Sequence, residues 1–300
     1  MVDRGVIASD LSAMAVMLAA AFSAGLLSTG RTKPLGLAVS VIALVPPWFA
    51  DPGFVRGALG LAGAVVVMRA IDLFRDPTPY PARRRLGHAV SPVDTRHLGP
   101  AAPRFDGRAF AAGLGWLVPG LAGLWIAFSV GPPMQVQDWT LRWLAGMVSA
   151  YGLVEALWAT VPGIYALLGF STPPLHRLPL VSRTIRELWG ERWSRAISDW
   201  LDDTLYRPLV NRGWKRTGLA AAFLGSATLH AYAVWMGAGA VMALWMLAYF
   251  LVQAGVVLAE RALGVQAWPR VAAHAWVVTV MVLTSPLFVE PYLRCVGLPG

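Results

Sequence analysis

Across 300 residues the chain is 57% hydrophobic and only 14% charged, with mean hydropathy +0.57. Its apolar residues come in long runs parted by short charged clusters, which excludes an ordinary soluble domain and reads as a polytopic membrane protein. The net charge of +9 does not point to nucleic acid, because the arginines lie between apolar runs, where anionic headgroups and span orientation account for them better.

The first run covers roughly Val6 to Leu27. Its flank, Met1 to Arg4, holds one arginine and one aspartate, which favours a retained first helix over a secretory signal. A second, shorter run from Leu35 to Ala50 contains Pro46 and Pro47, so its helix should break or re-enter near the end. The third, Phe54 to Phe74, ends in MRAIDLFRDP and gives way to a proline-rich polar loop, roughly Arg75 to Arg108. Further runs follow at Ala109 to Val130, Leu141 to Phe170, Leu219 to Met236, Gly239 to Ala259 and Val271 to Val289. Pro162 predicts a kink or tilt in the long Leu141 to Phe170 run. Each run is near the ~20 residues a helix needs to cross a bilayer. The expectation is an all-α transmembrane bundle of about eight spans, forming a single integral-membrane domain over residues 1–300.

Charge asymmetry orients these spans. With the N-terminus extracytoplasmic, Arg31 and Lys33, the Arg75 to Arg108 loop, the Ser171 to Gly218 segment, and Arg261 with Arg270 all face the cytoplasm, as the positive-inside rule requires. Cys295, the one cysteine, has no partner for an intramolecular disulfide, and no Cys/His spacing suggests zinc.

The Ser171 to Gly218 segment contains SRTIRELWGERWSRAISDWLDDTLYRPL. Thr184 and Glu187 have capping-box spacing. Ile185, Leu188, Trp189, Ala196, Ile197, Trp200 and Leu201 recur at helical spacing, opposite Glu187, Glu191, Arg195 and Asp202. An amphipathic helix lying in the cytoplasmic interface is expected from about Thr184 to Leu205. The next run carries no charge but has His230 near its middle, and an ionisable group at bilayer depth is costly enough to suggest a function. As a packing residue, His230 would bond Ser226, one turn earlier on the same face.

Ser182, then Leu188-Trp189-Gly190-Glu191-Arg192-Trp193, then Tyr206-Arg207-Pro208, then Phe223-Leu224-Gly225-Ser226 leading to Leu229-His230 resembles the wax-synthase branch of the membrane-bound O-acyltransferases. Thr284-Ser285-Pro286-Leu287-Phe288 with Pro291-Tyr292-Leu293-Arg294 looks like the end of such proteins. The resemblance spans about residues 182–294. It implies acyl transfer from acyl-CoA, as co-substrate, to a hydrophobic alcohol among membrane lipids, with His230 as general base and no resident cofactor. It also implies that Trp189, Arg192, Trp193, Ser226 and Tyr206 help to bind substrate. Where relatives carry an asparagine or histidine that assists the catalytic histidine, this chain has Ser194. Either Ser194 helps, or the helper role has moved, or the chemistry has changed.

A second reading rests on carboxylates. Asp72 and Asp76 lie four apart, and Asp199, Asp202 and Asp203 within about one turn. Such groups can hold Mg²⁺ against a diphosphate, as in intramembrane prenyltransferases and terpene cyclases. The plainer account is ion pairing with Arg69, Arg75 and the arginines around Asp199. A third reading, a transporter or lipid-binding scaffold, would use the few ionisable residues in the spans, Glu155, His230 and His274. Glu155 could neighbour His230 or pair elsewhere. His274, near the start of the last span, reads as interfacial.

Overall fold

In the computed structural model the fold is all-α apart from one short antiparallel pairing of Gly99–Pro100 with Phe170–Ser171, and the structure describes residues 4–51, 53–130 and 135–297. In order the helices are α1 (Arg4–Leu27), α2 (Lys33–Ser40), α3 (Phe54–Arg75), α4 (Ala82–Ala89), α5 (Gly107–Ser129), α6 (Val136–Leu167), α7 (Ile185–Glu187), α8 (Arg195–Leu201), α9 (Arg207–Val210), α10 (Lys215–Ala238), α11 (Ala240–Leu263), α12 (Arg270–Thr284) and α13 (Pro286–Val296). Among the described residues, seven helical stretches are long and apolar enough to cross a membrane, and α12 with α13 makes an eighth bent by 51°. The protein is thus a helical bundle of membrane-spanning type. The last expected span is a broken one, hinged where Pro286 follows Ser285. The second continues from α2 into short 3₁₀ segments of four residues each at Val41–Leu44 and Pro46–Phe49, as its prolines foretold.

The chain forms two compact units, one of Met1–His97, Leu229–Leu244 and Arg294–Gly300, the other of Leu98–Thr228 and Trp245–Leu293. In the first, α1, the Val41–Phe49 turns and α3 share a core of Ala13, Met17, Ala21, Ala43, Leu59 and Val66. Trp48 meets Trp235 edge to face at 5.2 Å. Arg85 of α4 donates to the carbonyls of Gly25 and Leu26, so a guanidinium satisfies acceptors that the end of α1 leaves open.

In the second unit α5 and α6 form a tight antiparallel pair. A Cβ on Gly152 would stand 2.6 Å from Gly120 N, and one on Gly123 would stand 2.6 Å from Ala145 O. Small residues let these backbones approach closely, the packing mode favoured where lipid offers no hydrophobic drive between helices. Ile185 and Leu188 pack with Val257, Val277 and Val280, flanked by Trp189, Trp193, Phe223 and Trp276.

The expected amphipathic helix from Thr184 to Leu205 is interrupted. It starts where the capping pattern places it, with Thr184 Oγ1 accepting the Glu187 N–H at 2.9 Å. Its first turn is further capped by Glu260, which accepts the backbone N–H groups of Ile185 and Arg186. After the wide turn Leu188–Arg192, however, the chain bends at Trp193, and Ser194 adopts φ +41°. Bonds to another segment replace the helical ladder there: Arg177 N–H reaches Arg192 O at 3.0 Å, and Arg195 N–H reaches Leu175 O at 2.9 Å. The apolar set still faces inward, with Ile185, Leu188, Ala196 and Leu201 all buried.

Candidate functional site

Those two backbone bonds create the most unusual local arrangement in the second unit. Leu175 and Arg177 flank His176; Arg192 and Arg195 flank Trp193 and Ser194. The aromatic motif segment therefore clamps the loop that follows α6 and holds His176 against Trp193, ring centroids 4.8 Å apart. His176 Nδ1 lies 3.0 Å from Glu155 Oε1 of α6. Tyr151, one turn before Glu155, hydrogen-bonds the same carboxylate and packs on Trp193 at 5.8 Å. Glu155 sits about 18 Å before the end of α6 at 1.5 Å rise per residue, so the loop must fold back along the helix to reach it. Irregular backbone beside a spanning helix persists only where protein or a polar cavity satisfies it.

The Glu155 carboxylate stands off the line of the ring's N–H, and neither His176 nitrogen has a well-aligned hydrogen-bond partner among the described residues. Thr172 Oγ1, Ser198 Oγ and Trp200 Nε1 are buried and unpartnered in the same way. Apart from His88 Nε2 in the first unit, every such atom among the described residues belongs to the loop after α6 or to α8. An unmatched buried polar group costs about 1–3 kcal/mol, so each of these atoms calls for a partner such as water or a bound polar molecule.

Of the expected motif residues, Trp193 packs on His176 and Trp189 packs on Trp193. Trp189 donates to Gln253 Oε1 at 3.2 Å, and Gln253 in turn donates to Thr284 Oγ1 at 2.8 Å, so its ring is fixed among Trp193, Tyr249 and Phe250. Arg192 is engaged by Glu187 at 2.6 Å and by the Arg177 carbonyl at 2.7 Å. It holds the clamp together rather than standing open to a ligand. Tyr206 is half-buried, beside Gly218, where a Cβ would stand 3.0 Å from the Tyr206 carbonyl.

His230 is half-buried on α10, about 22 Å along that helix at 1.5 Å per residue, and Ser226 is buried one turn before it. Glu155 pairs with His176. Sequence reasoning passed over His176 because it lies in a proline-containing polar loop; the available signal was Glu155 itself, a carboxylate in an apolar span that needs a partner.

The carboxylate clusters take the plainer form. In the first unit Asp72 receives Arg69 Nη1 at 2.7 Å and Arg96 Nη2 at 3.2 Å, while Arg96 also binds Asp94 at 2.7 Å and Asp76 at 3.6 Å. Asp72, His88 and Asp94 offer ligand atoms within 4.8 Å of one another. The donor set nonetheless fits Mg²⁺ poorly: two guanidiniums hold the carboxylate oxygens, and the third group is an imidazole, whereas Mg²⁺ takes octahedral oxygen ligands and water. In the second unit Asp199 pairs with Arg195, and Asp202 and Asp203 both pair with Arg207. His274 is exposed, with Nδ1 3.1 Å from the Ser182 carbonyl.

No family model matches the chain, and no curated protein matches it either. The fold and the clamped site define a polytopic helical membrane protein with a buried polar centre among tryptophans.

Proposed function

We propose that the protein is a membrane-embedded acyltransferase that moves an acyl group from acyl-CoA to the hydroxyl of a lipophilic alcohol. The observation that carries this reading is the buried pair of His176 and Glu155, whose imidazole has no well-aligned partner among the described residues and which is held in place by the Leu188–Trp193 segment on which the resemblance to wax-synthase-like O-acyltransferases rests. Ser194 adds support. Its positive φ is a conformation that asparagine and histidine adopt more readily than most residues, and these are the types that the relatives carry there.

In this reading His230 accepts the hydroxyl proton as the oxygen attacks the thioester carbonyl, a proton transfer that contributes about 10²–10⁴-fold. Apolar helices exclude the water that would hydrolyse the thioester. Exposed Arg177, Arg183 and Arg186, on the arginine-rich side that the positive-inside rule assigns to the cytoplasm, meet the phosphates of coenzyme A. The N-terminus then lies on the opposite side.

The test incubates purified protein with labelled acyl-CoA and a mixture of long-chain alcohols, and separately with prenyl diphosphates and Mg²⁺. Ester in the first reaction and no prenyl product in the second is the expected result. Prenyl product alone, or no product in either, contradicts the proposal.

A further inference from the structure

The geometry points to His176 as a second catalytic residue of the acyl transfer, the general acid that protonates the departing sulfur, with Glu155 as its positioning residue; this rests on the acyltransferase reading above. The side chain of His176 is only 5% exposed, and its Nε2 has no partner among the described residues. Glu155 lies at the other ring nitrogen, where a carboxylate fixes ring orientation and offsets positive charge on the imidazole. An imidazole with a carboxylate beside one nitrogen and no partner at the other is arranged to present a proton to a bound molecule.

Placement selects the sulfur as the recipient. His176 adjoins Arg177, and the backbone of this loop is tied to Arg192 and Arg195, so the imidazole belongs to the arginine-bearing segment that would receive coenzyme A. A thiolate released into a water-poor site is poorly solvated, which gives protonation a role there that it would lack in water. As the alcohol oxygen bonds to the carbonyl carbon, its proton passes to the general base. The C–S bond then breaks with its electron pair on sulfur, and sulfur takes the Nε2 proton, giving free thiol and ester. Exchange with water later reprotonates His176, and the net change is one proton lost by the alcohol and one gained by the thiol.

The experiment compares wild type with His176→Gln using two acyl donors, acyl-CoA and the matching p-nitrothiophenyl thioester, whose leaving thiol is far more acidic. Loss of roughly 10²–10³-fold in kcat with acyl-CoA and less than about tenfold with the activated donor is expected, because only the first leaving group needs an acid. Glu155→Gln should show the same donor dependence with a smaller loss, and it serves as the second variant should His176→Gln fail to fold. Equal losses with both donors, in whichever variant folds, overturn the assignment and leave the acyltransferase reading standing. A wild type inactive with both donors removes that reading and this inference together.

Discussion

Arg142 and Glu290, 148 positions apart in the chain, meet as a buried ion pair with Nε 3.2 Å from Oε2. Trp143 Nε1 donates to the same carboxylate oxygen at 3.3 Å, and Arg142 Nη1 donates to the Ala127 carbonyl at 3.3 Å. The pair thereby joins α5, α6 and α13. Its value lies in being complete, since removing one partner strands a buried charge. Glu290→Ala should destabilise the protein by about 3–5 kcal/mol, whereas Arg142→Met with Glu290→Met should be near neutral. Denaturant unfolding in detergent checks this, and equal losses for the two variants would show that the charges matter little.

His88 is wedged among Asp72, Asp94, Arg69 and Thr95. Burial is the largest influence on it and pushes the ring below its usual value of 6.5, although both carboxylates pull the other way. The native protein therefore keeps this ring neutral where the unfolded chain would already bind a proton. Stability from this source is full above about pH 6.5 and falls as the pH drops through the lower native value. Asp94 contributes in a separate, more acidic window. Burial opposes its ionisation, but the bonds from Arg96 outweigh that and hold its carboxyl at about 2, against an ordinary 3.8, so its contribution fades below about pH 4. A Tm series from about pH 8 to pH 5 should slope downward for wild type and flatten in His88→Gln. Parallel slopes would speak against this account.

Ser194 holds φ +41° without being glycine, a conformation that costs a residue with a side chain about 1–3 kcal/mol. Ser194→Gly should leave the fold intact and raise stability by up to about 1 kcal/mol, Ser194→Asn should be tolerated, and Ser194→Val should cost more than either. Thermal unfolding of the three variants orders them. A destabilised glycine variant would show that the hydroxyl, rather than the backbone, carries the residue's contribution.

The spans were legible because each is a long apolar run with charged ends, and Pro46 and Pro47 announced irregularity in one of them, whereas the kink expected at Pro162 does not interrupt α6, which runs unbroken from Val136 to Leu167. The start of the Thr184 helix was legible too, since capping is local chemistry. Its break at Ser194 was not, because the bonds that replace the helical ladder come from Leu175 and Arg177 in another segment. The same limit hid the partner of Glu155 and the pairing of Arg142 with Glu290, contacts set by packing and not by spacing along the chain. Asp72 illustrates both sides: Arg69, one turn away, was foreseeable, while Arg96 reaches it from a loop 24 positions further on.

The most direct test of the central claim is the rate of ester formation from acyl-CoA and a long-chain alcohol by His230→Ala and wild type, at equal amounts of folded protein. A fall of roughly 10²–10⁴-fold is the predicted result for loss of the general base. A variant that turns over within about twofold of wild type would contradict it.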